Sequence, residues 1–235
     1  MKNRELSPVD LDALKEFDTP TVCNCLEFLA PERRGYGYTV ESLICSYPQY
    51  PPMVGYARTA TIRAMHPPQF ETDEVKARRF AYYEYVEKGP RPSIIVIQDI
   101  DPIPGYGSFW GEVQSNIHKG LGSLGVITNG CVRDIPDCAA GFQFMSASIR
   151  PSHAFVHVVD YAKTVTVAGM DVSPDDLIHA DVHGAVIIPK HVVRDIPKTA
   201  ELISRKEAVV IGAAQRPEFT TADLKEALMK QDDIH

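Results

Sequence analysis

"PSIIVIQDI", residues 92–100, is a continuous apolar run bounded by turn residues, which is typical of a strand buried on both faces. A loop rich in proline and glycine follows, and the apolar spacing of residues 111–121 then predicts a short helix. "GVITN", residues 125–129, is predicted to be a second buried strand. A strand, a helix and a strand within about forty residues predict a parallel βαβ unit with a right-handed crossover.

The segments on either side of this unit extend the α/β pattern. Two helices are expected near the N-terminus, one capped by Ser7 and one capped by Asp18 or Thr19. Residues 31–52 show no clear period and are expected to form an irregular segment before the first strand. Further strands are expected at 53–65, 142–148, 154–160, 164–170 and 184–189, and further helices at 72–89, 197–214 and 221–230.

These elements predict one α/β domain over residues 1–235, with a mixed sheet flanked by helices. Within it, residues 1–52 would hold the N-terminal helices and the irregular segment, and residues 197–235 the C-terminal helices. No repeat or linker divides the chain.

The composition limits the partners and the location of the chain. A net charge of −7 argues against nucleic acid or an anionic membrane as a partner. The start, "MKNRELSPVD", lacks the apolar core of a secretory signal, and no apolar run approaches a membrane span, so a cytoplasmic protein is expected. The five cysteines suit reduced thiols, and Cys131 is interpreted as a small buried hydrophobe.

The βαβ unit predicts where its polar residues meet. The loop after the first strand, the start of the helix and the end of the second strand share one edge of a parallel sheet, where ligands bind. Glu112 at the helix start and the Arg133-Asp134 pair should therefore converge, although twenty residues separate them. Backbone amides of residues 111–114 could receive a carboxylate, Asp134 could bind Mg²⁺ or Mn²⁺, and Arg133 could bind a carboxylate or enolate oxygen. On spacing alone, the same residues also fit a capping acid and a surface turn.

The segment resembles the signature of a known family. Glu112, twenty residues, Arg133-Asp134, two residues and Asp137 follow the pattern of aldolases that cleave 4-hydroxy-4-methyl-2-oxoglutarate and 4-carboxy-4-hydroxy-2-oxoadipate. These aldolases share a fold with the regulator of ribonuclease activity A. Weaker resemblances lie in "TPTVCNCLE", "MVGYARTATI" and "DLIHADVHGAVIIP". The chain departs from the family at three positions: Glu112 and Asn24 replace the usual aspartates, and Asp175 replaces a usual glycine.

The resemblance implies a fold and an assembly. The fold would be a swivelling β/β/α domain of the RraA-like, phosphohistidine-domain-like kind, with a mixed sheet flanked by helices. The chains would form a homotrimer or a hexamer, with active sites between subunits. The activity would be that of a class II aldolase releasing pyruvate and a second oxo compound from a 4-hydroxy-2-oxo acid, with oxaloacetate decarboxylation as a side activity.

The resemblance also implies a role for each site residue. Asp134 would anchor Mg²⁺ or Mn²⁺, Arg133 would bind the keto or enolate oxygen, and Glu112 would hold a water molecule of the metal. The pyruvate carboxylate would be bound by the backbone amides of Gly111, Glu112, Val113 and Gln114. Asp137 is a weaker candidate near the metal, as is Glu207, which would come from a neighbouring subunit, with Glu201 as its rival.

Two other functions compete with the aldolase. The first is a non-catalytic regulator that binds a ribonuclease or another protein, although that branch of the family generally lacks the acid represented here by Asp137. The second is a zinc hydrolase using the histidines of "SHAFVH" and "HADVH", which are His153, His157, His179 and His183. On a strand, His153 and His157 would be roughly 13 Å apart, too far for one zinc, so packed or solvated histidines are preferred. For Trp110 and Tyr106, both the mouth of a pocket and aromatic packing remain open.

Overall fold

The structure is a computed structural model that describes residues 5–69 and 71–234. The strands are β1 (Ile44–Cys45), β2 (Met53–Arg63), β3 (Ser93–Asp99), β4 (Ser123–Val132), β5 (Gln143–Ile149), β6 (His157–Tyr161), β7 (Val165–Val167), β8 (Met170–Val172), β9 (Leu177–Asp181) and β10 (Gly184–Ile188). The helices are α1 (Pro8–Leu14), α2 (Thr19–Leu29), α3 (Thr72–Glu87), α4 (Glu112–Gly120), α5 (Ile196–Ala214) and α6 (Thr221–Asp232). Short 3₁₀ helices lie at Pro31–Arg33, Ile135–Asp137 and Lys190–Asp195.

A mixed eight-stranded sheet has the order β1-β5-β4-β3-β2-β9-β10, with β6 also paired to β2. Strands β2, β3, β4 and β5 run parallel to one another, and the other pairs in this sheet are antiparallel. Helix α4 connects the parallel strands β3 and β4, so the predicted βαβ unit is confirmed. The curled mixed sheet with helices on its faces also confirms the predicted fold class.

The alternating side chains of β3 explain the continuous apolar run from Ile94 to Ile97. Ile94 and Val96 pack on the face that the β7–β8 hairpin covers. Ile95 and Ile97 pack on the opposite face, in the cluster that contains Tyr82 of α3 and several aromatic rings. Because both faces are covered, Ile94, Ile95, Val96 and Ile97 are removed from water. Burial of a large apolar side chain contributes about 1.5–3 kcal/mol.

The helix-start signals are confirmed by their hydrogen bonds. Ser7 and Asp10 form a reciprocal capping box at the start of α1. At α2, the cap is Asp18, whose side chain accepts a hydrogen bond of 2.8 Å from the amide of Thr21. Within the described residues, no helix is both long and apolar enough to cross a bilayer.

Several predicted strand boundaries were wrong, because pairing with distant strands and local turns decides where these strands form. The irregular segment contains β1, which exists because Ile44 and Cys45 pair with β5, so residues 53–63 form the second strand rather than the first. The predicted strand at 164–170 is a hairpin instead, because Ala168 and Gly169 have positive φ values of 50° and 77° and turn the chain. Strand β9 was not among the strands expected from the sequence. It forms because it pairs with β2 on one side and with β10 on the other.

The unusual Asp175 has a structural partner. Its φ of 66° lies in the left-handed region, where a glycine would be unstrained and aspartate is tolerated. The Asp175 carboxylate forms an ion pair with Arg58, whose guanidinium is buried and lies 3.6 Å from the centre of the Tyr85 ring. The carboxylate therefore neutralises a buried cation, which a glycine could not do.

Candidate functional site

A cavity of about 310 Å³ lies at the carboxyl ends of the parallel strands. Its lining includes the start of α4, from Gly111 to Gln114, and the Arg133-Asp134 pair that follows β4. The structure thus places Glu112, Arg133 and Asp134, which were expected to converge, around a common cavity. The remaining walls come from Ser108 and Phe109, from α3, and from the segment between His153 and Val158.

A single backbone contact aligns the two halves of the motif. Trp110 forms an isolated parallel bridge with Val132, the last residue of β4. The amide of Arg133 donates a 3.0 Å hydrogen bond to the carbonyl of Trp110. Gly111 follows Trp110 and Asp134 follows Arg133, so this hydrogen bond makes Gly111 and Asp134 neighbours at the edge of the cavity.

The N-terminus of α4 is free to bind an anion. Its cap is Gly111, which has no side chain to bond the amides of the first turn, and no other side chain caps them among the described residues. These amides and the helix dipole favour a negatively charged ligand. Gln114 in this turn is held firmly, because Tyr83 donates a 3.0 Å hydrogen bond to its side-chain oxygen and its carbonyl lies 2.7 Å from Nδ1 of His118.

Asp134 adopts a left-handed conformation that directs the chain out of β4. Its φ is 55° and its ψ is 29°, which aspartate tolerates better than most residues. Its carbonyl accepts a 2.9 Å hydrogen bond from the amide of Asp137, which closes the following 3₁₀ turn. The carboxylate is half-exposed, with Oδ2 at 3.5 Å from Nε of Arg133. The guanidinium and the carboxylate are thus adjacent but loosely paired, and both remain accessible to a ligand.

The negative charges of the three acids of the motif act on the Cys138 thiol. Burial raises the pKa of Cys138, and the negative charges of Asp134, Glu112 and Asp137 raise it further. A raised pKa favours the protonated thiol at neutral pH, which is the less nucleophilic form. Asp137 contributes to this field from the 3₁₀ turn, but its exposed side chain does not line the cavity.

The donors at the cavity fit a hard, partly hydrated cation. Across the described ranges, 5–69 and 71–234, no three His, Cys, Asp or Glu side chains form a metal site by themselves. Mg²⁺ usually retains several waters and takes one or two protein carboxylates. Two carboxylates, those of Asp134 and Glu112, line the cavity and could hold such a cation. The space beside Asp134 depends on Gly111, because a β-carbon there would lie 2.6 Å from Oδ2 of Asp134.

Three basic residues of the cavity were not assigned to the site from the sequence. Arg79 lies on α3, which was expected only to present an aromatic face. His153 and His157 were expected on one strand as packed or solvated side chains, but β6 begins only at His157 and His153 precedes it in a turn. A positive φ of 45° at Ala154 prevents the strand from starting earlier. No local pattern pointed to these residues, because they reach the cavity only through the packing of α3 and β6.

The other candidates lie elsewhere. Glu201 and Glu207 are exposed on α5 and do not line this cavity. His179 is buried beside Thr19 and His183 is near Asp181, so the four histidines do not gather into the zinc site considered above. Trp110 is buried in the aromatic core, which favours packing, and Tyr106 is half-exposed outside the cavity.

The fold and the cavity define an α/β protein of the swivelling β/β/α class. The RraA-like family, described as Aldolase/RraA, matches residues 11–187, and the chain belongs to this family. The resemblance seen in the sequence is confirmed at this level, and the family description names both aldolases and RraA.

Individual relatives support the same placement. An uncharacterized protein of Methanocaldococcus jannaschii is 32% identical over 100 residues, which cover 42% of this chain and 48% of that protein. The chain aligns with less than half the length of the curated relatives it matches. A structure of an uncharacterized Pseudomonas syringae protein has a TM-score of 0.68 at 19% identity, covering 98% of this chain and 97% of the other. RraAS2 of Streptomyces coelicolor, described as an unusual member of the RNase ES inhibitor RraA family, has a TM-score of 0.68 at 20% identity, covering 91% and 99%. At these identities the two structures establish the fold alone.

Proposed function

We propose that this protein is a divalent-metal-dependent lyase that cleaves a 4-hydroxy-2-oxo acid to pyruvate and a second oxo compound. One observation carries the proposal: Arg133, Asp134 and the uncapped N-terminus of α4 line the same cavity. A guanidinium, a hard oxygen donor and an anion-binding helix end are the three groups that a reaction through pyruvate enolate requires.

The reaction forms negative charge on a ketone oxygen. When the C4 hydroxyl loses its proton, the C3–C4 bond breaks and its electron pair moves to C3, forming the C2–C3 double bond of the enolate. The negative charge then rests on the C2 oxygen. Arg133 would donate to that oxygen, and a preorganised donor of this kind lowers the barrier by about 3 kcal/mol.

The helix end positions the substrate for this charge. The C1 carboxylate would accept hydrogen bonds from the first-turn amides of α4, at Glu112, Val113 and Gln114. Because Gly111 has no side chain, the carboxylate can approach the backbone closely. Glu112 would hold the water molecule that accepts the C4 hydroxyl proton.

The cation would be Mg²⁺ or Mn²⁺, held by the carboxylate of Asp134 with Glu112 near its waters. When bound, it supplies Lewis acidity toward the 2-oxo group. Oxaloacetate yields the same enolate when its C3–C4 bond breaks with release of CO₂. Decarboxylation of oxaloacetate is therefore part of the proposal.

A non-catalytic regulator is the competing function. Solved relatives of this fold include proteins described as inhibitors of ribonuclease or RNA processing. A protein of this kind would bind a ribonuclease or another protein partner and would need no substrate cavity. Asp137, which that branch generally lacks, favours the lyase.

The deciding experiment measures pyruvate release from a panel of 4-hydroxy-2-oxo acids and from oxaloacetate. The purified protein is assayed with Mg²⁺, with Mn²⁺ and with excess EDTA, beside an Arg133→Ala variant. Metal-dependent release that is lost in the variant supports the lyase. Full turnover in EDTA would contradict the metal step, and recovery of a ribonuclease by an inactive protein would favour the regulator.

A further inference from the structure

Helix α4 carries a glutamine at a position from which this residue type commonly closes a helix end. Gly111 is the cap of α4, and Gln114 is the third helical residue after it. A glutamine at this position often reaches back and accepts a hydrogen bond from the backbone amide of the cap residue. Such a contact would place a side-chain oxygen on the helix end that lines the cavity, where an anionic ligand has to bind.

Gln114 makes a different contact in this structure. The hydroxyl of Tyr83, on α3, donates a 3.0 Å hydrogen bond to Oε1 of Gln114. Burial raises the pKa of Tyr83, so at neutral pH the hydroxyl keeps the proton that it donates. Among the described residues, no side chain caps the first turn of α4. The oxygen that could close the helix end is therefore bound to α3 instead.

The Tyr83–Gln114 contact is fixed by buried neighbours. Nε2 of His118 lies 2.8 Å from the hydroxyl of Tyr82, and Nδ1 of the same ring lies 2.7 Å from the carbonyl of Gln114. His118 and Tyr82 are fully buried, and the Tyr83 ring packs against both, with centroid distances of 5.7 and 5.5 Å. Because side chains in such close packing have little freedom to move, Gln114 is held at both its backbone carbonyl and its side chain. None of the three aromatic residues lines the cavity itself.

We propose that Tyr83 is a positioning residue, which holds the Gln114 side chain on α3 and so leaves the first-turn amides of α4 open to an anion. Without the Tyr83 hydroxyl, Gln114 would regain the capping contact and compete with the ligand for the same helix end. The apparent affinity for the ligand would then fall by the fraction of molecules in which the helix end is open. This assignment rests on the proposed binding of a substrate carboxylate by these amides, and that binding can be measured without turnover.

The first test measures pyruvate binding by calorimetric titration in the presence of Mg²⁺. Tyr83→Phe is expected to weaken pyruvate binding about tenfold, which corresponds to a closed helix end about ten times more populated than the open one. A second substitution, Gln114→Met, keeps the length of the side chain but removes its oxygen. The double variant should bind pyruvate about fivefold more tightly than Tyr83→Phe alone, because no acceptor is left to close the helix end. A purely structural role of Tyr83 predicts no such rescue, since the double variant lacks the same hydrogen bond.

Tyr85→Phe is the matched control, because it removes a hydroxyl from the same helix without affecting Gln114. The Tyr85 hydroxyl accepts a 3.2 Å hydrogen bond from the amide of Thr59, and Tyr85 does not line the cavity. This control should change pyruvate binding by less than about twofold. Thermal unfolding of each variant checks that the fold is kept. Unchanged binding in Tyr83→Phe, an equal loss in the Tyr85→Phe control, or no rescue in the double variant would overturn the assignment.

Kinetics separate the role of Tyr83 from the proposed reaction. If the protein cleaves a 4-hydroxy-2-oxo acid or oxaloacetate, Tyr83→Phe should raise KM about tenfold and change kcat by less than about threefold, because the substrate carboxylate is held equally in the ground state and the transition state. If none of these compounds is cleaved, the lyase proposal fails and the pyruvate titrations alone decide the role of Tyr83. If the wild-type protein does not bind pyruvate, the role of Tyr83 is refuted.

Discussion

A β-carbon on Gly111 would lie 2.6 Å from Oδ2 of Asp134, so the carboxylate occupies space that exists only because residue 111 is glycine. The backbone of Gly111 is extended, with φ of −176°, and any residue can adopt this conformation. An alanine here would therefore leave the chain path unstrained while displacing the carboxylate. This substitution should therefore lower activity at the site without lowering the stability of the fold.

Gly111→Ala is accordingly expected to lower pyruvate release about 10- to 100-fold, because small displacements of reacting groups have effects of this size. The melting temperature should stay within about 2 °C, corresponding to at most about 1 kcal/mol. Gly120→Ala, at an open position of the same helix, is the control. Full activity in Gly111→Ala would mean that the position of the Asp134 carboxylate is unimportant.

Asp134→Asn separates the charge of this residue from its conformation. Asparagine tolerates the left-handed backbone seen at φ 55°, whereas alanine at this position would add roughly 1–2 kcal/mol of strain. The asparagine variant should fold normally, lose pyruvate release and lose any stabilisation by Mg²⁺. Activity assays and thermal unfolding with and without Mg²⁺ measure these effects. Retention of Mg²⁺-dependent stabilisation would place the cation elsewhere.

Substitution of Glu207 tests whether the active site is shared between subunits. It is exposed on α5 and does not line its own chain's cavity, so a catalytic contribution would have to reach a neighbouring chain. Glu207→Gln should then lower activity at least tenfold, and the matched Glu201→Gln should not. Mixing Glu207→Gln chains with Arg133→Ala chains should restore part of the activity, because some shared sites would be intact. Sedimentation should show three or six chains; an active monomer would refute the shared site.

His118 should make stability dependent on pH. Burial lowers the pKa of His118 to about 4, while its hydrogen bond to the carbonyl of Gln114 acts in the opposite direction. The unfolded chain binds this proton near its usual pKa of 6.5, so it holds more protons than the folded chain between about pH 6.5 and 4. Neutral His118 therefore contributes fully to the free energy of unfolding above this pH window. That contribution is lost as the pH falls through the window, by up to about 1.4 kcal/mol per pH unit.

Urea unfolding of wild-type protein and a His118→Gln variant at several pH values measures this effect. The free energy of unfolding of the wild-type protein should fall more steeply between pH 6.5 and 4.5 than that of the variant. Parallel slopes for the two proteins would show that His118 is protonated equally in the folded and unfolded states.

The regular elements followed from local chemistry. The apolar run of β3 required cover on both faces, and Ser7 and Asp18 supply their own helix with hydrogen-bond acceptors. The spacing from Glu112 to Arg133 was enough to predict convergence, because a parallel βαβ unit brings those two points to one edge. Each of these inferences depends on residues close in the chain or on a geometry that one supersecondary unit imposes.

The remaining features depend on residues distant in the chain. β1 forms only because β5 lies beside it, about a hundred positions later, and β6 starts late because Ala154 turns the chain. Arg79 and His157 enter the cavity only once α3 and β6 have packed together, and no periodicity encodes that contact. Sequence alone thus determined the fold class and the acidic and guanidinium groups of the candidate site. The opposite, basic wall was decided by tertiary structure, because long-range packing rather than local propensity selects which side chains face one another.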